Sequence, residues 1–413
     1  MDRRIFRVLL YASMACMDCV SGIIIFIGPV RATILGYDPL IAGSMVTARS
    51  ICGCLASYAV SRFLTSSNSI RLLFLSNIMY FVSALLGLWA TNLAMLYVTS
   101  AMAGVFMAVF SAAFQVFMKD VDSSPVRPLS RVIGAYTFAW CGGMAFGPFI
   151  TGFLMELGKP KGGVGLSVGW FYTYLVAAGL TLFTFFTLLW VRKVTADHMR
   201  RHLAGEGETI DVSESRGRPD LAWMGWVMAC VGSIVLGTLR AVFPAGVTQA
   251  GMPEWRSGMV MTLVALATGC FALLVSFNSR LLYSGRRMFA VGVLGLAGYV
   301  MFFLPWLLGW SLLEHVGQYY AGGIMVGCFS GIMYLYSGFH SLAHPERAGR
   351  NISLNEFFLA IGMVTGTLGG GWLAKHYGFY PPFVLSAVLV LLLAAFQLYA
   401  HRKYGGEEPR PVN

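Results

Sequence analysis

Charge is what this sequence has least of. Asp, Glu, Lys and Arg make up 11% of its 413 residues, against roughly 25% in an ordinary soluble chain. A string of water-soluble domains is therefore excluded. Acids are the scarcer sign, 18 against 29 Lys and Arg. Glycine is abundant, at 48 residues, but follows no Gly-X-Y period, which excludes a collagen. Disorder is excluded by a hydrophobic content of 57%, because so much apolar surface cannot stay solvated. No G-x-x-x-x-G-K-[ST] run occurs, so no nucleotide hydrolysis is expected. No enzymatic activity and no cofactor are expected either. The eight cysteines set up no disulfide framework. Cys16 with Cys19 and Cys52 with Cys54 have metal-like spacing, yet all eight lie in apolar runs, where small buried thiols are the simpler reading.

What is present is a series of long apolar runs. A helix that crosses a bilayer needs about 20 mostly apolar residues. Such runs occur near residues 8–28, 40–61, 72–90, 94–118, 132–154 and 169–191, and again near 221–244, 257–277, 288–310, 316–339, 351–374 and 379–400. The ten-residue polar–apolar alternation of a membrane β-barrel is absent. The expected fold is an all-α integral membrane protein of twelve transmembrane helices in two pseudo-symmetric six-helix bundles. Arg3 and Arg4 before an apolar run imitate a signal peptide, but Asp18 interrupts the run, so a retained first helix is expected.

The basic residues orient the chain. With an even number of spans, 22 Lys and Arg fall on the side of the N terminus and five on the other. That asymmetry places both termini in the cytoplasm of a cell membrane, of the bacterial inner-membrane type. The net charge of +11 is thus a topology signal and calls for no nucleic-acid partner. The expected partners are lipid, protons and a small-molecule substrate, with the protein acting as a monomer.

Composition shifts at 192–220, where Val191-Arg192-Lys193 opens a charged stretch that reads as a cytoplasmic linker. The expected domains are a bundle over 1–191, that linker, a second bundle over 221–401 and a tail over 402–413. An offset of 219 residues aligns the halves. Gly104 then meets Gly323, Arg131 meets Arg350, Gly143-Met144 meets Gly362-Met363, and Gly147 meets Gly366. Two duplicated six-helix halves form a transporter architecture, with the substrate held between repeats near the midplane.

The fifth span reads Gly143-Met144-Ala145-Phe146-Gly147-Pro148-Phe149-Ile150-Thr151-Gly152. It resembles the G-x-x-x-G-P-x-x-G-G motif on helix five of the major facilitator superfamily, commonest in its proton-coupled antiporters. Glycines four apart put bare backbone on one face and permit close helix crossing, and Pro148 removes an internal hydrogen bond. The repeat in the eleventh span, Gly362 to Gly371, lacks the proline. The superfamily's acid–base latch after helix two is worn down to Ser61-Arg62, with Ser279-Arg280 and Arg286-Arg287 as its counterpart in the second half. The helix-four arginine of the antiporters is missing, and Thr99 and Ser100 occupy its region. The resemblance implies a secondary transporter working by alternating access.

Charges inside a membrane are costly and usually functional. Asp18 lies about 15 Å deep from the cytoplasmic face and Arg49 about 13.5 Å deep from the other, at 1.5 Å per residue. Both are expected near the midplane on neighbouring helices, as a proton switch or as a permanent structural pair. Helical spacing groups Tyr11, Met14 and Ser21 with Asp18, and Tyr136 and Trp140 with Gly143, as a cavity wall. Midplane positions of the second half are apolar or small, so the polar chemistry is expected in the first. Glu356, near the cytoplasm, is a candidate gate with Arg350 or Arg347 as partner. Arg240 is expected to snorkel to the outer surface. His340, His344 and Glu346 are read as a solvated turn, not a metal site. These features favour proton-coupled efflux of a small amphipathic or lipophilic organic compound. Two alternatives stand beside it: an uptake symporter for an organic anion or metabolite, with Arg49 holding a carboxylate, and a non-transporting membrane sensor or assembly component.

Overall fold

The computed structural model describes residues 3–35, 39–122, 128–157, 168–203, 218–249, 254–311 and 315–404. Residues 204–217 of the expected linker and 405–413 of the expected tail lie outside these residues. With no water in a hydrocarbon core, every backbone N–H and C=O must bond within its own segment, and a helix is the local solution. The first six helices are α1 (Arg3–Ile34), α2 (Pro39–Val60), α3 (Ser66–Leu88), α4 (Leu93–Asp122), α5 (Leu129–Leu157) and α6 (Gly169–Leu203). The second six are α7 (Ala222–Gln249), α8 (Glu254–Ser276), α9 (Gly285–Leu308), α10 (Val316–Leu342), α11 (Ala348–Tyr377) and α12 (Pro381–Tyr404). No strand occurs among the described residues.

Every expected span is found, and most helices outrun their apolar core by a turn or more. α6 continues through Arg192 and Lys193 to Leu203, so the first part of the charged stretch is helical. Eleven helices are long and apolar enough to cross a bilayer on their described residues alone. The other, α2, has 22 residues, a length of about 33 Å, enough for a core of about 30 Å.

Local chemistry sets the ends. Asn68 Oδ1 accepts a bond from the Thr65 backbone N–H at 2.9 Å, closing the start of α3. α9 stops at Gly309, whose φ of +65° is the left-handed conformation that glycine adopts without steric cost, and Trp310 N–H then returns to Pro305 O at 2.8 Å.

The chain resolves into two compact units. One comprises residues 1–123, 139–210 and 352–357; the other comprises 124–138, 211–351 and 358–413. Each repeats the same internal packing. In the first, α2 and α3 pack on α4 while α1 and α3 pack on α6. In the second, α8 and α9 pack on α10 while α7 and α9 pack on α12. Advancing each helix by six positions converts one set into the other, as the sequence duplication requires.

Candidate functional site

α1 and α5 cross backbone to backbone. A Cβ placed on Gly143 would collide with Ala15 O, and one on Gly147 would stand 2.5 Å from Cys19 O. From the other side, a Cβ on Gly22 would meet the Pro148 ring at 3.1 Å and Gly147 Cα at 3.3 Å. The two motif glycines therefore seat α5 on the turn of α1 that carries Asp18. Gly152 does not take part: it is exposed and a Cβ there meets nothing within 4 Å. The crossing recurs in the other unit, where Gly362 faces Cys230 O, Gly366 faces Ile234 O and Gly237 faces Met363 O. For α1 and α7 the repeat offset is 215 residues, not 219, so Gly22 corresponds to Gly237 and Asp18 to Ser233.

Asp18 is 6% exposed and Arg49 8%. They do not meet in an ion pair. Arg49 Nη2 instead donates to Ser21 Oγ at 2.6 Å, one turn along α1 from Asp18, which leaves Asp18 Oδ2 and Arg49 Nη1 buried without hydrogen-bond partners. Arg49 is fixed from behind by Gly104 of α4, where any Cβ would overlap the Arg49 carbonyl. Met14 is also buried, at 1%.

The other expected wall residues divide. The Tyr11 hydroxyl donates to Asp122 Oδ2 at 2.8 Å, while Arg7 Nε donates to Asp122 Oδ1 at 2.7 Å. Tyr11 thus belongs to a charge cluster at the end of α4, two turns from Asp18. Trp140 is half-buried and belongs to the first unit; Tyr136 is buried and belongs to the second.

Glu356 is engaged, but not by arginine. Its Oε1 accepts from Gln115 Nε2 at 2.8 Å and from Ser111 Oγ at 3.3 Å, while Arg350 and Arg347 are exposed. Sequence reasoning missed Ser111 and Gln115. Their spacing of four on the otherwise apolar stretch 101–118 was the available signal, since it puts both on one helix face. Arg62 is exposed and bonds Tyr58 Oη at 3.1 Å, and Arg280, Arg286 and Arg287 are exposed as well. Arg240 is half-buried in α7.

The reading of His340 is overturned. It lies inside α10, 1% exposed, with Nε2 at 3.2 Å from Leu282 O and its ring against Tyr336 and Tyr283. α10 runs further than its apolar stretch and carries the imidazole inward. His344 does stand outside the helix, 3.8 Å from Asp220, and Glu346 is exposed in a short 3-10 turn. No group of three or more metal-binding side chains is found among the described residues. All eight cysteines are free; Cys19 and Cys141 are buried as expected, but Cys270 is exposed.

No curated protein matches this sequence. Solved structures do match in fold. A bacterial homologue of the iron transporter ferroportin, in an outward-facing state with soaked iron, aligns with a TM-score of 0.70 at 14% identity, covering 97% of this chain and 99% of that one. The proton:xylose symporter XylE aligns with a TM-score of 0.68 at 12% identity, over 96% and 95% of the two chains. The human organic anion transporter MFSD10 aligns with a TM-score of 0.62 at 15% identity, over 96% and 100%. At these identities the likeness is one of fold alone. The sequence model of the Major Facilitator Superfamily matches residues 10–343, most of the chain, and on that match the protein belongs to the Major Facilitator Superfamily.

Proposed function

We propose that this member of the superfamily exports a small organic compound in exchange for protons, as a monomer with both termini in the cytoplasm, and that Asp18 carries the proton. One observation bears most of the weight. Asp18 is a buried carboxylate with an unpartnered oxygen, on the turn of α1 against which Gly143 and Gly147 are seated. An ionised carboxylate in that setting is costly, and a proton or a ligand group removes the cost. Helix five is where this chain most resembles the proton-coupled antiporters, so the resemblance and the buried acid fall on one helix crossing. Gly104 and Ser21 hold Arg49 beside that acid. Glu356 is proposed as a gate that acts through Gln115 and Ser111 of α4, with no part for Arg350.

The Arg49 Nη1 without a partner favours a second reading, inward symport of an organic anion with a proton. The fold does not choose between the two, since the structural neighbours are described as carriers of iron, organic anions and xylose. Proteoliposomes loaded with a fluorescent pH indicator separate them. A panel of amino acids, amphipathic amines and carboxylic acids is supplied outside, and internal pH is followed. Exchange predicts that at least one compound drives protons out as it enters; symport predicts that protons enter with it. No proton movement with any compound would remove the proposal and leave the non-transporting alternative.

A further inference from the structure

Among the buried charged side chains of the first unit, Asp18 and Arg49 are opposite in sign and near each other without being paired. Asp18 Oδ2 lacks a donor and Arg49 Nη1 lacks an acceptor. The separation is built in. Ser21 takes Arg49 Nη2, and the Gly104 backbone packs on the backbone of Arg49, so the guanidinium is anchored along one edge. The other charged group acting on Asp18 is Glu356, and its Oε1 is already supplied by Gln115 and Ser111. At the corresponding place in the second unit stands Ser233, buried and uncharged. At Asp18 and Arg49, the atoms left to recognise charge are one carboxylate oxygen and one guanidinium nitrogen.

We propose that the substrate is a zwitterion, a small compound bearing both a protonated amine and an acidic group, with Asp18 receiving the amine and Arg49 the acid. This rests on the reading of Asp18 and Arg49 as the transport site. A ligand with only a positive charge satisfies Asp18 and leaves the Arg49 nitrogen buried and bare; one with only a negative charge does the reverse. Each leaves an uncompensated charge out of water, the costly half of a broken ion pair. A zwitterion answers both groups and adds no net charge to the buried site. It also gives exchange a simple form, in which the proton and the amine alternate at Asp18. The amine gives up its contact as the carboxylate takes a proton, and no covalent bond changes.

The test uses full-length protein in detergent and matched triads of probes. Alanine, leucine, phenylalanine and glutamine are each offered as the free zwitterion, as the carboxamide (amine only) and as the N-acetyl derivative (acid only). Titration calorimetry should show, for at least one triad, the zwitterion binding at least about tenfold more tightly than both relatives, since losing one partner of a buried charge contact costs that much or more. Asp18→Asn should bring the zwitterion close to the N-acetyl compound, and Arg49→Gln should bring it close to the carboxamide. The wild-type comparison stands even if a variant fails to fold. Equal binding of zwitterion and N-acetyl acid would overturn the proposal in favour of an anion site, and equal binding of zwitterion and carboxamide in favour of a cation site. No binding by any triad also overturns it. Failure here with proton coupling intact would leave Asp18 as the proton carrier; zwitterion preference without proton coupling would do the opposite.

Discussion

Replacing Gly147 by alanine adds one methyl group within the α1–α5 crossing. That methyl would stand 2.5 Å from Cys19 O and 2.9 Å from both Gly22 Cα and Ile23 N, where ordinary contact begins near 3.4 Å. All three are backbone atoms, so no side chain can rotate away and the helices themselves must separate by nearly 1 Å. A gap of that size forfeits roughly a quarter to a half of each dispersion contact along the seam, and overpacking of this kind costs about 1–3 kcal/mol. Against it stands the ordinary gain of about 1 kcal/mol for alanine over glycine inside a helix. The net effect should be destabilising. Gly152, on the same helix with nothing within 4 Å of its would-be Cβ, supplies the control, for there only the gain applies. Unfolding midpoints in one detergent, read by loss of the monodisperse size-exclusion peak, should fall for Gly147→Ala and hold or rise for Gly152→Ala. Gly147→Leu should fall further and lose transport while still inserting. A Gly147→Ala midpoint that rises as Gly152→Ala does would refute the packing argument.

Three further expectations follow from other parts of the molecule. Gln115→Leu removes the 2.8 Å donor of Glu356 and should destabilise the protein by about 1–3 kcal/mol; the double variant Gln115→Leu/Glu356→Leu should recover most of the loss, which a thermal melt in detergent will show. Gly366→Leu should reproduce the Gly147→Leu defect, because its backbone crossing on Ile234 is the repeat of the same contact; a normal melt would break the equivalence. A reporter enzyme fused after Glu206 should be active only in the cytoplasmic form and one inserted at Lys161 only in the external form, and exchanged compartments would reverse the orientation drawn from the basic residues.

The helices were legible because the bilayer leaves so few alternatives: an apolar run of the right length is nearly bound to be one. The duplication was legible for the same reason at α5 and α11, where Gly143 and Gly362 do the same backbone packing. Rotation of a helix about its own axis was not. Hydropathy does not name the partner of a side chain, so it could not tell that Tyr11 turns to Asp122 or that Gly152 faces away from the crossing. Depth put Asp18 and Arg49 at similar levels but could not show that Ser21, one turn away, takes Arg49 Nη2. The partners of Glu356 were hidden because its hydrogen bonds run to α4, more than two hundred residues away in sequence. His340 was misread for the opposite reason: a polar side chain near the end of an apolar run looks like a loop unless the helix is known to continue. The offset of 215 between α1 and α7 was hidden because it differs from the 219 that relates α5 to α11.

The central claim, that Asp18 carries the coupled proton, is tested most directly with Asp18→Asn in proteoliposomes. The substitution preserves size and hydrogen-bonding shape but has no proton to exchange. Flux driven by an imposed pH gradient and exchange of labelled for unlabelled substrate at saturating concentration are measured on the same preparation. Exchange should persist and pH-driven flux should disappear. Full pH-driven flux in the folded variant would contradict it.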